Sequence, residues 1–361
     1  MIVSHLATYR QANRHRSGRA SIEKGTVDVM RVVVIGAGRM GSIRAEDLAA
    51  DERVTEVLIA NRTPVRAERL ASELGARALP WEQITETDAD GYVMALATDA
   101  HATLLESLLE RGVPILCEKP IALTIHETEH ICALAAASGA PVQIGFQRRF
   151  DPAMRRARSA VESGELGTVY DISLTSRDHT PPDRFFLPGS GGIFRDLHVH
   201  DLDLVSWLTD SPIETVQAAA RIRGEGPYEE FGDFDTTRIV AVTESGVLAS
   251  ICGSRHDARG HDVRLEIFGS KDALSAGITP RTPLRVLDDP GVPVDHDPYT
   301  GFIDRFRDAF RAETASFVDT IGGAANPCPP QAATESLRAA IACEIAVREG
   351  GAITVRDVTD G

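Results

Sequence analysis

The sequence lacks the features that define several large classes of protein. Its five cysteines include no Cys-x-x-Cys pair, so we expect neither a disulfide framework nor a zinc site, and a reducing cytoplasm is the expected compartment. No apolar run approaches the roughly 20 residues that a membrane span needs. The net charge of -15 leaves no basic surplus for nucleic acid or for an anionic membrane surface.

Lysine is scarce as well. Among 38 basic residues only Lys24, Lys119 and Lys271 are lysines, and arginine occupies the other basic positions. A lysine in an apolar context therefore suggests that its amine itself is required. Lys119 stands in such a context, because the strand-like run Pro114–Cys117 leads directly into Glu118-Lys119-Pro120.

At 361 residues the chain is long enough for two domains and a large core. Residues 1–29 are rich in arginine, have no acid before Glu23 and lack a sustained apolar run. We expect a disordered tail or an over-extended start, with Met30 as the genuine initiator, and an organellar transit peptide as the alternative. The rest of the chain divides by pattern into residues 30–150 and 151–361.

A glycine motif opens the first of these regions. A β-branched run from Arg31 to Ile35 leads into Gly36-x-Gly38-x-x-Gly41, and helical spacing follows. In this context Gly36 permits a tight turn, Gly38 lets the backbone approach a pyrophosphate, and Gly41 lets helix and strand pack closely. The pattern predicts a dinucleotide site at a helix N-terminus. The residues expected to contact the cofactor at this turn are Gly36, Gly38, Arg39, Met40 and Gly41.

The end of the second predicted strand bears on the choice of cofactor. An NAD-selective site usually presents an acid there to bind the ribose 2′-hydroxyl, but this chain presents Asn61 and Arg62. A guanidinium can pair with a 2′-phosphate, so NADP is acceptable and weakly suggested. The alternative is that Arg62 merely starts the next helix.

Strands and helices alternate to about residue 150, which predicts a doubly wound parallel sheet, a Rossmann domain. Ligands bind such sheets at the carboxyl ends of the strands. His101 lies at the start of the predicted helix that runs to about Arg111, and it either lines the nicotinamide pocket or faces solvent. The remaining candidate cofactor residues at the strand ends are Thr98, His101, Glu118, Lys119 and Gln147.

From Asp151 onward, helices are followed by consecutive strands, which predicts an α+β domain with a largely antiparallel sheet. Several of these strands are apolar without clean alternation, so we expect one face to be covered by helices and the other by a second subunit. The last helices are candidates for packing back on the Rossmann domain.

One helix of this second region carries a candidate proton-transfer pair. At about 100° per residue, Asp196 and His200 lie one turn apart on the same face as Asp203 and Trp207. A carboxylate near an imidazole can set its tautomer and pKa. The alternative is a surface helix with scattered charges. We predict no metal site, since helical residues two apart, such as His198 and His200, point in different directions.

Together these motifs resemble the glucose–fructose oxidoreductase/inositol dehydrogenase (Gfo/Idh/MocA) family, and within it most of all the inositol 2-dehydrogenases. The motifs are the glycine turn, Glu118-Lys119-Pro120, Arg148-Arg149-Phe150-Asp151-Pro152, Gly191-Gly192-Ile193-Phe194 and Asp196-x-x-x-His200. The chain departs from NAD-specific inositol dehydrogenases at Asn61-Arg62, and from many of them at His179, where they carry proline.

The resemblance implies NAD(P)-linked oxidation of a ring hydroxyl of a cyclic polyol or sugar to a ketone. It implies Lys119, Asp196 and His200 as catalytic residues, a cis or trans choice at Lys119-Pro120, and a homodimer or homotetramer formed through the C-terminal sheet. We expect His200 to act as the base, Asp196 to orient it or hold a substrate hydroxyl, and Lys119 to stabilise alkoxide charge.

Other assignments stay open. Arg148 and Asp178 are candidates for substrate contacts alongside Lys119, Asp196 and His200, with a structural role as the alternative for each. The scaffold could also serve a sugar-phosphate or amino-sugar reductase, or a hydrolase that oxidises its substrate transiently with a retained cofactor. A cofactor-binding regulator without turnover is the alternative from another class.

Overall fold

The computed structural model of the chain describes residues 30–96, 101–285 and 297–360, so the predicted tail at 1–29 lies outside the described residues. Residues 31–144 contribute six parallel strands in the order β3-β2-β1-β4-β5-β6. They are β1 (Arg31–Ile35), β2 (Glu56–Ala60), β3 (Arg77–Leu79), β4 (Gly91–Met94), β5 (Ile115–Cys117) and β6 (Val142–Ile144). The predicted doubly wound parallel sheet is confirmed.

Helices cover both faces of this sheet, which explains why its strands read as continuous apolar runs. Successive side chains of a strand point to opposite faces. In β1, Val33 and Ile35 join a core with α3 and α4, whereas Val32 and Val34 join a core with α1 and α2. These helices are α1 (Arg39–Ala49), α2 (Pro64–Leu74), α3 (His101–Leu109) and α4 (Ile125–Ser138).

The second sheet has seven strands in the order β12-β11-β7-β10-β9-β8-β13, and all neighbours are antiparallel except β7 and β10. The strands are β7 (Val169–Arg177), β8 (Ile213–Arg221), β9 (Thr236–Thr243), β10 (Leu248–Ser254), β11 (Asp262–Gly269), β12 (Ala273–Ala276) and β13 (Ile353–Thr354). The helices of this half are α5 (Pro152–Glu162), α6 (Leu187–Ser190), α7 (Val199–Thr209), α8 (Phe302–Ile321) and α9 (Gln331–Glu349). The predicted α+β architecture is confirmed.

The described residues of the single chain cover only one face of the second sheet. Helices α7 and α9 pack on that face, where Ile239 and Ala241 of β9 are buried. On the opposite face Val240, Leu248 and Phe268 are 49%, 50% and 44% exposed. Burial in these strands therefore alternates within one chain, and the expected cover of the open face by a second subunit stays a prediction.

Helix α8 returns from the second half of the chain to the first. Its Phe317 and Val318 are buried in the core between the parallel sheet and α1. Further along the same contact, the Arg307 guanidinium pairs with Asp47 of α1, with an Nη2–Oδ1 distance of 2.6 Å. Among the described helices, α8 included, none is long and apolar enough to cross a membrane.

Candidate active site

The turn between β1 and α1 has the geometry that its three glycines predict. Gly36 has a φ of +112°, and a Cβ there would lie 2.3 Å from the carbonyl oxygen of Ala95. A Cβ on Gly41 would lie 1.8 Å from the carbonyl oxygen of Gly36, so only glycine allows this packing. Gly38 is exposed, no described atom lies within 4 Å of its would-be Cβ, and no described side chain caps the helix there. The open space and uncapped N–H groups fit a pyrophosphate.

Asn61 and Arg62, at the carboxyl end of β2, do different things. The Asn61 side chain accepts a hydrogen bond from the backbone N–H of Ala37 at 3.0 Å and donates to the Thr63 carbonyl at 3.0 Å. Asn61 therefore braces the glycine turn. Arg62 is exposed, and its guanidinium carbon lies 5.4 Å from the ring centroid of Trp81. Its charge remains available to an anion at this strand end.

The other predicted cofactor residues are placed less simply. Thr98 lies outside the described residues. His101 neither faces solvent nor presents a free ring, because it is buried with its two nitrogens 3.0 Å from the Pro120 carbonyl and 3.2 Å from the Leu96 carbonyl. Burial lowers its pKa. His101 thus ties two strand-end loops together. Gln147 is buried where the chain leaves the parallel sheet.

The loop after β5 directs its two charged side chains in opposite directions. Lys119 Nζ donates to the Asp196 backbone carbonyl at 2.8 Å and lies 3.2 Å from Asp196 Oδ1. The Lys119–Pro120 peptide bond is cis. Glu118, predicted as a cofactor residue, instead accepts two hydrogen bonds from the Arg44 guanidinium at 2.7 and 2.9 Å. Lys119 alone reaches the Asp196 helix.

Asp196 is held between two cations. Its Oδ2 accepts a hydrogen bond from Arg255 Nη1 at 2.8 Å, while Oδ1 faces Lys119. Arg255 is buried and also donates to Asp233 Oδ2 at 3.0 Å. Burial opposes ionisation of Asp196, but the charges of Lys119 and Arg255 outweigh it and hold the pKa of this carboxyl below its usual range. Asp196 is therefore a carboxylate at neutral pH.

His200 is a neutral imidazole in this setting. Burial, together with the positive charges of Lys119 and Arg148, lowers its pKa well below the ordinary histidine value. Its ring packs edge-on against Phe146, with centroids 5.8 Å apart. Its Nδ1 is buried and has no hydrogen-bond partner among the described residues. A neutral ring keeps one nitrogen lone pair, which a proton acceptor needs.

The structure does not join Asp196 to His200 in the way that helical spacing predicts. Both carboxylate oxygens of Asp196 are directed to Lys119 and Arg255. The cause is a π-helical turn at Phe194–His198, which precedes the regular helix α7. Such a turn closes i→i+5 hydrogen bonds and so rotates Asp196 away from the position that 3.6 residues per turn assign to it.

Arg148, a predicted substrate residue, is instead part of a buried platform beside His200. It is only 3% exposed, donates to Ser176 Oγ at 3.0 Å and pairs with Asp201. Ser176 Oγ donates to the same Asp201 carboxylate at 2.6 Å. Nη1 of this guanidinium is therefore committed to protein partners, whereas its buried Nε has no hydrogen-bond partner among the described residues, and the direct substrate contact stays a prediction.

His198 completes the platform. Its Nδ1 lies 2.8 Å from Asp201 Oδ2 and its Nε2 lies 2.6 Å from Thr237 Oγ1. Gly253 leaves space for the ring, because a Cβ there would lie 2.3 Å from two of its atoms. Within the described part of the chain, no group of three or more His, Cys, Asp and Glu side chains is placed to hold a metal ion.

Asp178, the last predicted substrate residue, keeps part of its carboxylate accessible. Its side chain is 26% exposed, and Oδ1 lies 3.5 Å from Nδ1 of His261. His261 is buried, and neither of its ring nitrogens has a hydrogen-bond partner in the described residues. A T-shaped contact sets its ring against Phe306, with centroids 6.4 Å apart. Asp178 is therefore free to accept a hydrogen bond from a ligand.

Several residues of the site were not recognised from sequence, namely Arg44, Asp233, Arg255, His261 and the platform residues Ser176, Asp201 and Thr237. The two arginines carry no distinguishing signal, because almost every basic residue of the chain is arginine. Asp233 lies in a loop without a recognisable motif. His261 lies in no motif that was recognised from the sequence.

The parallel sheet and the uncapped glycine turn define a dinucleotide-binding Rossmann domain. Two family models match the chain. The model described as oxidoreductase family, NAD-binding Rossmann fold, matches residues 30–146. The model of the GFO/IDH/MocA C-terminal domain matches residues 154–275. Myo-inositol dehydrogenase Hyg17 of Streptomyces leeuwenhoekii is 34% identical over 328 residues, which cover 89% of this chain and 98% of that protein. The chain belongs to the GFO/IDH/MocA family.

Solved structures agree with this assignment. A myo-inositol dehydrogenase from Corynebacterium glutamicum ATCC 13032 is 33% identical with a TM-score of 0.82, covering 90% of this chain and 98% of that one. A scyllo-inositol dehydrogenase from Lactobacillus casei with bound NAD(H) and scyllo-inositol is 25% identical with a TM-score of 0.82, covering 91% and 100%. The similarity therefore extends over both domains.

Proposed function

We propose that this chain oxidises a ring hydroxyl of a cyclic polyol, an inositol-like compound, to a ketone with NAD(P) as the hydride acceptor. The observation that carries the proposal is the cluster of Lys119, Asp196 and His200 beside the carboxyl ends of the parallel strands. Ligands of doubly wound sheets bind at this edge. Relatives named as inositol dehydrogenases support the substrate class.

His200 is the proton acceptor in this proposal. Its lowered pKa keeps the ring neutral at physiological pH, so a lone pair is available for the proton of the reacting hydroxyl. The nearby charges of Lys119 and Arg148 oppose a second positive charge on the ring. They favour prompt release of the accepted proton to solvent or to a neighbouring group.

Lys119 and Asp196 act on the charge of the reacting oxygen. The Lys119 ammonium is held by the backbone and side chain of Asp196, and it stabilises the developing alkoxide from that position. Asp196, fixed from its other side by Arg255, acts through Lys119 rather than through the tautomer of His200. Asp178 is the candidate to accept a hydrogen bond from another hydroxyl of the polyol.

The chain's own residues also support a place for the cofactor. The glycine turn and the N-terminus of α1 would hold the pyrophosphate, and the strand end at Asn61-Arg62 would meet the adenosine ribose. When bound, the nicotinamide supplies the hydride-accepting carbon. Because Arg62 is exposed and no acid occupies this strand end, we propose that NADP is accepted alongside NAD.

The open face of the second sheet supports a homodimer or homotetramer. Val240 and Leu248 are exposed there on the neighbouring strands β9 and β10, and Phe268 is exposed on the same face of β11, with β7 between β10 and β11. Exposed apolar side chains that cluster on one surface mark protein–protein contacts. Light scattering tests this assembly, and a Val240→Lys variant is expected to shift it toward the monomer.

Steady-state kinetics test the activity. NAD or NADP reduction is followed by absorbance against myo-inositol, scyllo-inositol, glucose and a linear polyol. We expect net reduction with at least one inositol, and loss of turnover in His200→Gln by about 10²–10⁴-fold, the usual contribution of a general base. His130→Gln, an exposed histidine on α4, is the matched control.

Two results would count against this function. Absence of net cofactor reduction together with cleavage of a glycoside would indicate a hydrolase with a retained cofactor. Turnover that His200→Gln leaves unchanged would remove His200 from the role of base.

A further inference from the structure

The guanidinium of Arg44 is completely buried at the meeting point of three segments that are far apart in sequence. It donates to Glu118 in the loop after β5 and to Glu313 on α8. It also lies 3.1 Å from Thr314 Oγ1 and 3.3 Å from the Phe310 carbonyl, both on α8. Arg44 itself is part of α1, the helix of the cofactor turn. One side chain thus connects the cofactor helix, the Lys119 loop and the C-terminal helix.

Glu118 has little freedom within this arrangement. Its Oε1 accepts both Arg44 Nε, at 2.9 Å, and Arg44 Nη2, at 2.7 Å. Its Oε2 fits against Gly145, where a Cβ would approach it to 2.7 Å. Since Lys119 is the next residue, the direction of the Glu118 side chain sets the backbone from which Lys119 reaches Asp196.

Glu313 is the second carboxylate on Arg44 and is fully buried on α8. Its Oε2 is bonded to Arg44, and its Oε1 has no hydrogen-bond partner among the described residues. The charged or titratable groups that face it from other elements are Arg44 on α1, Glu118 after β5, Asp203 on α7 and the Cys328 thiol.

Burial and the charge of Glu118 raise the pKa of Glu313 to about 7, although Arg44 opposes the shift. Two carboxylates therefore share one guanidinium. When Glu313 is protonated, Glu118 is the only one of the two carboxylates that carries a negative charge to pair with Arg44. With Glu313 ionised, the Nη2 hydrogen bond is drawn toward α8 at the expense of Glu118.

We propose that Arg44 and Glu313 are positioning residues that set Glu118, and through it the Lys119 ammonium, and that protonation of Glu313 tunes this placement. The catalytic consequence rests on the function proposed above. The placement of Lys119 does not, because it can be observed without turnover.

Selective labelling tests the placement directly. The chain has three lysines, so protein grown with [15N]lysine gives three backbone amide signals, and Lys119→Arg identifies the one from Lys119. We expect the Lys119 amide shift to titrate near pH 7 in the natural protein and to be constant over the same range in Glu313→Gln. A Lys119 signal that behaves identically in both proteins would overturn the proposal, whether or not the protein turns over a polyol.

Kinetics test the consequence for catalysis. The ratio of kcat in Glu313→Gln to kcat in the natural protein should be near one at low pH, where Glu313 is protonated. It should rise to about threefold above neutrality, a coupling typical of residues in one buried network. Arg44→Lys keeps the charge but loses the planar fork, so we expect a fall in kcat of about tenfold with little change in the KM for the cofactor.

Arg307→Lys is the matched control, because Arg307 joins the same two helices through Asp47 without contacting Glu118. It should lower stability and leave kcat unchanged. If the natural protein is active and the ratio of kcat in Glu313→Gln to kcat in the natural protein does not change with pH, then protonation of Glu313 does not tune catalysis. Absence of turnover in the natural protein would instead refute the proposed function, and the amide signal would still decide the placement of Lys119.

Discussion

Arg255 donates from Nη1 to Asp196 Oδ2 at 2.8 Å, and through this bond a buried guanidinium fixes the carboxylate that faces Lys119. The same guanidinium reaches Asp233, whose other oxygen accepts the backbone N–H of Ile193 at 2.8 Å. Through Asp233, the loop that leads into the Asp196 turn is thereby connected to Arg255, which directly follows strand β10. The Lys119–Asp196 contact depends on a residue 59 positions further along the chain.

Removing this guanidinium should destabilise the fold. Arg255→Gln leaves Asp196 and Asp233 without their shared cation, and breaking a buried pair from one side costs about 3 kcal/mol. Urea unfolding measures the change in the free energy of unfolding. The control is Arg184→Gln, whose exposed pair with Glu230 should contribute less than about 1 kcal/mol. Equal losses in the two variants would contradict the structural role of Arg255.

The pH dependence of turnover should reflect the lowered pKa of His200. A base is active when deprotonated, and burial with the charges of Lys119 and Arg148 keeps His200 deprotonated below the ordinary value of 6.5. The acid limb of kcat/KM should therefore have its midpoint below pH 6.5. Removing a charge with Lys119→Met should move the midpoint upward. A midpoint at or above 6.5 in the natural protein would mean that His200 is not in this environment during turnover.

Two glycines of the cofactor turn should fail in different ways when replaced by alanine. Gly41→Ala forces a Cβ into the Gly36 carbonyl, so we expect a loss of stability of at least about 1–3 kcal/mol, as for other overpacked sites. Gly38→Ala meets no described atom, so its stability should be unchanged. Its Cβ should instead obstruct the pyrophosphate and raise the KM for NAD about tenfold, the equivalent of one charge-assisted bond. Thermal unfolding and cofactor titration together separate the two effects.

Arg62 should matter for NADP and little for NAD. Arg62→Ser removes the exposed charge at the end of β2, and the KM for NADP should rise about tenfold because one charge-assisted bond to a 2′-phosphate is lost. Arg66→Ser, an exposed arginine one turn further along α2, is the control and should change neither constant. A strong preference for NAD in the natural protein would refute the assignment of Arg62.

Local patterns predicted most of the fold. The β1 strand, its glycine turn and the following helix are specified by neighbouring residues, because β-branching and glycine act on the backbone where they occur. Lys119 was found because lysine is rare in this chain.

What sequence reasoning missed depends on contacts between distant segments. Asp196 was assigned to His200 on the assumption of 3.6 residues per turn, whereas a π-helical turn redirects it toward Arg255. The two alternatives for Arg148, a substrate contact or a structural role, stayed open because nothing local shows that Asp201 lies beneath it. In a protein that uses arginine almost throughout, the partner of each arginine is decided only by the folded structure.

The platform near His200 has a consequence for substrate recognition under the proposed function. Arg148, Ser176, Asp201, His198 and Thr237 form one chain of hydrogen bonds beneath the base. The entropic cost of ordering these five side chains is therefore incurred when the chain folds, and Arg148 among them supplies a fixed charge that acts on His200. Under the proposed function, the binding energy of the remaining ring hydroxyls is then available to discriminate between stereoisomers that differ by a single axial or equatorial oxygen.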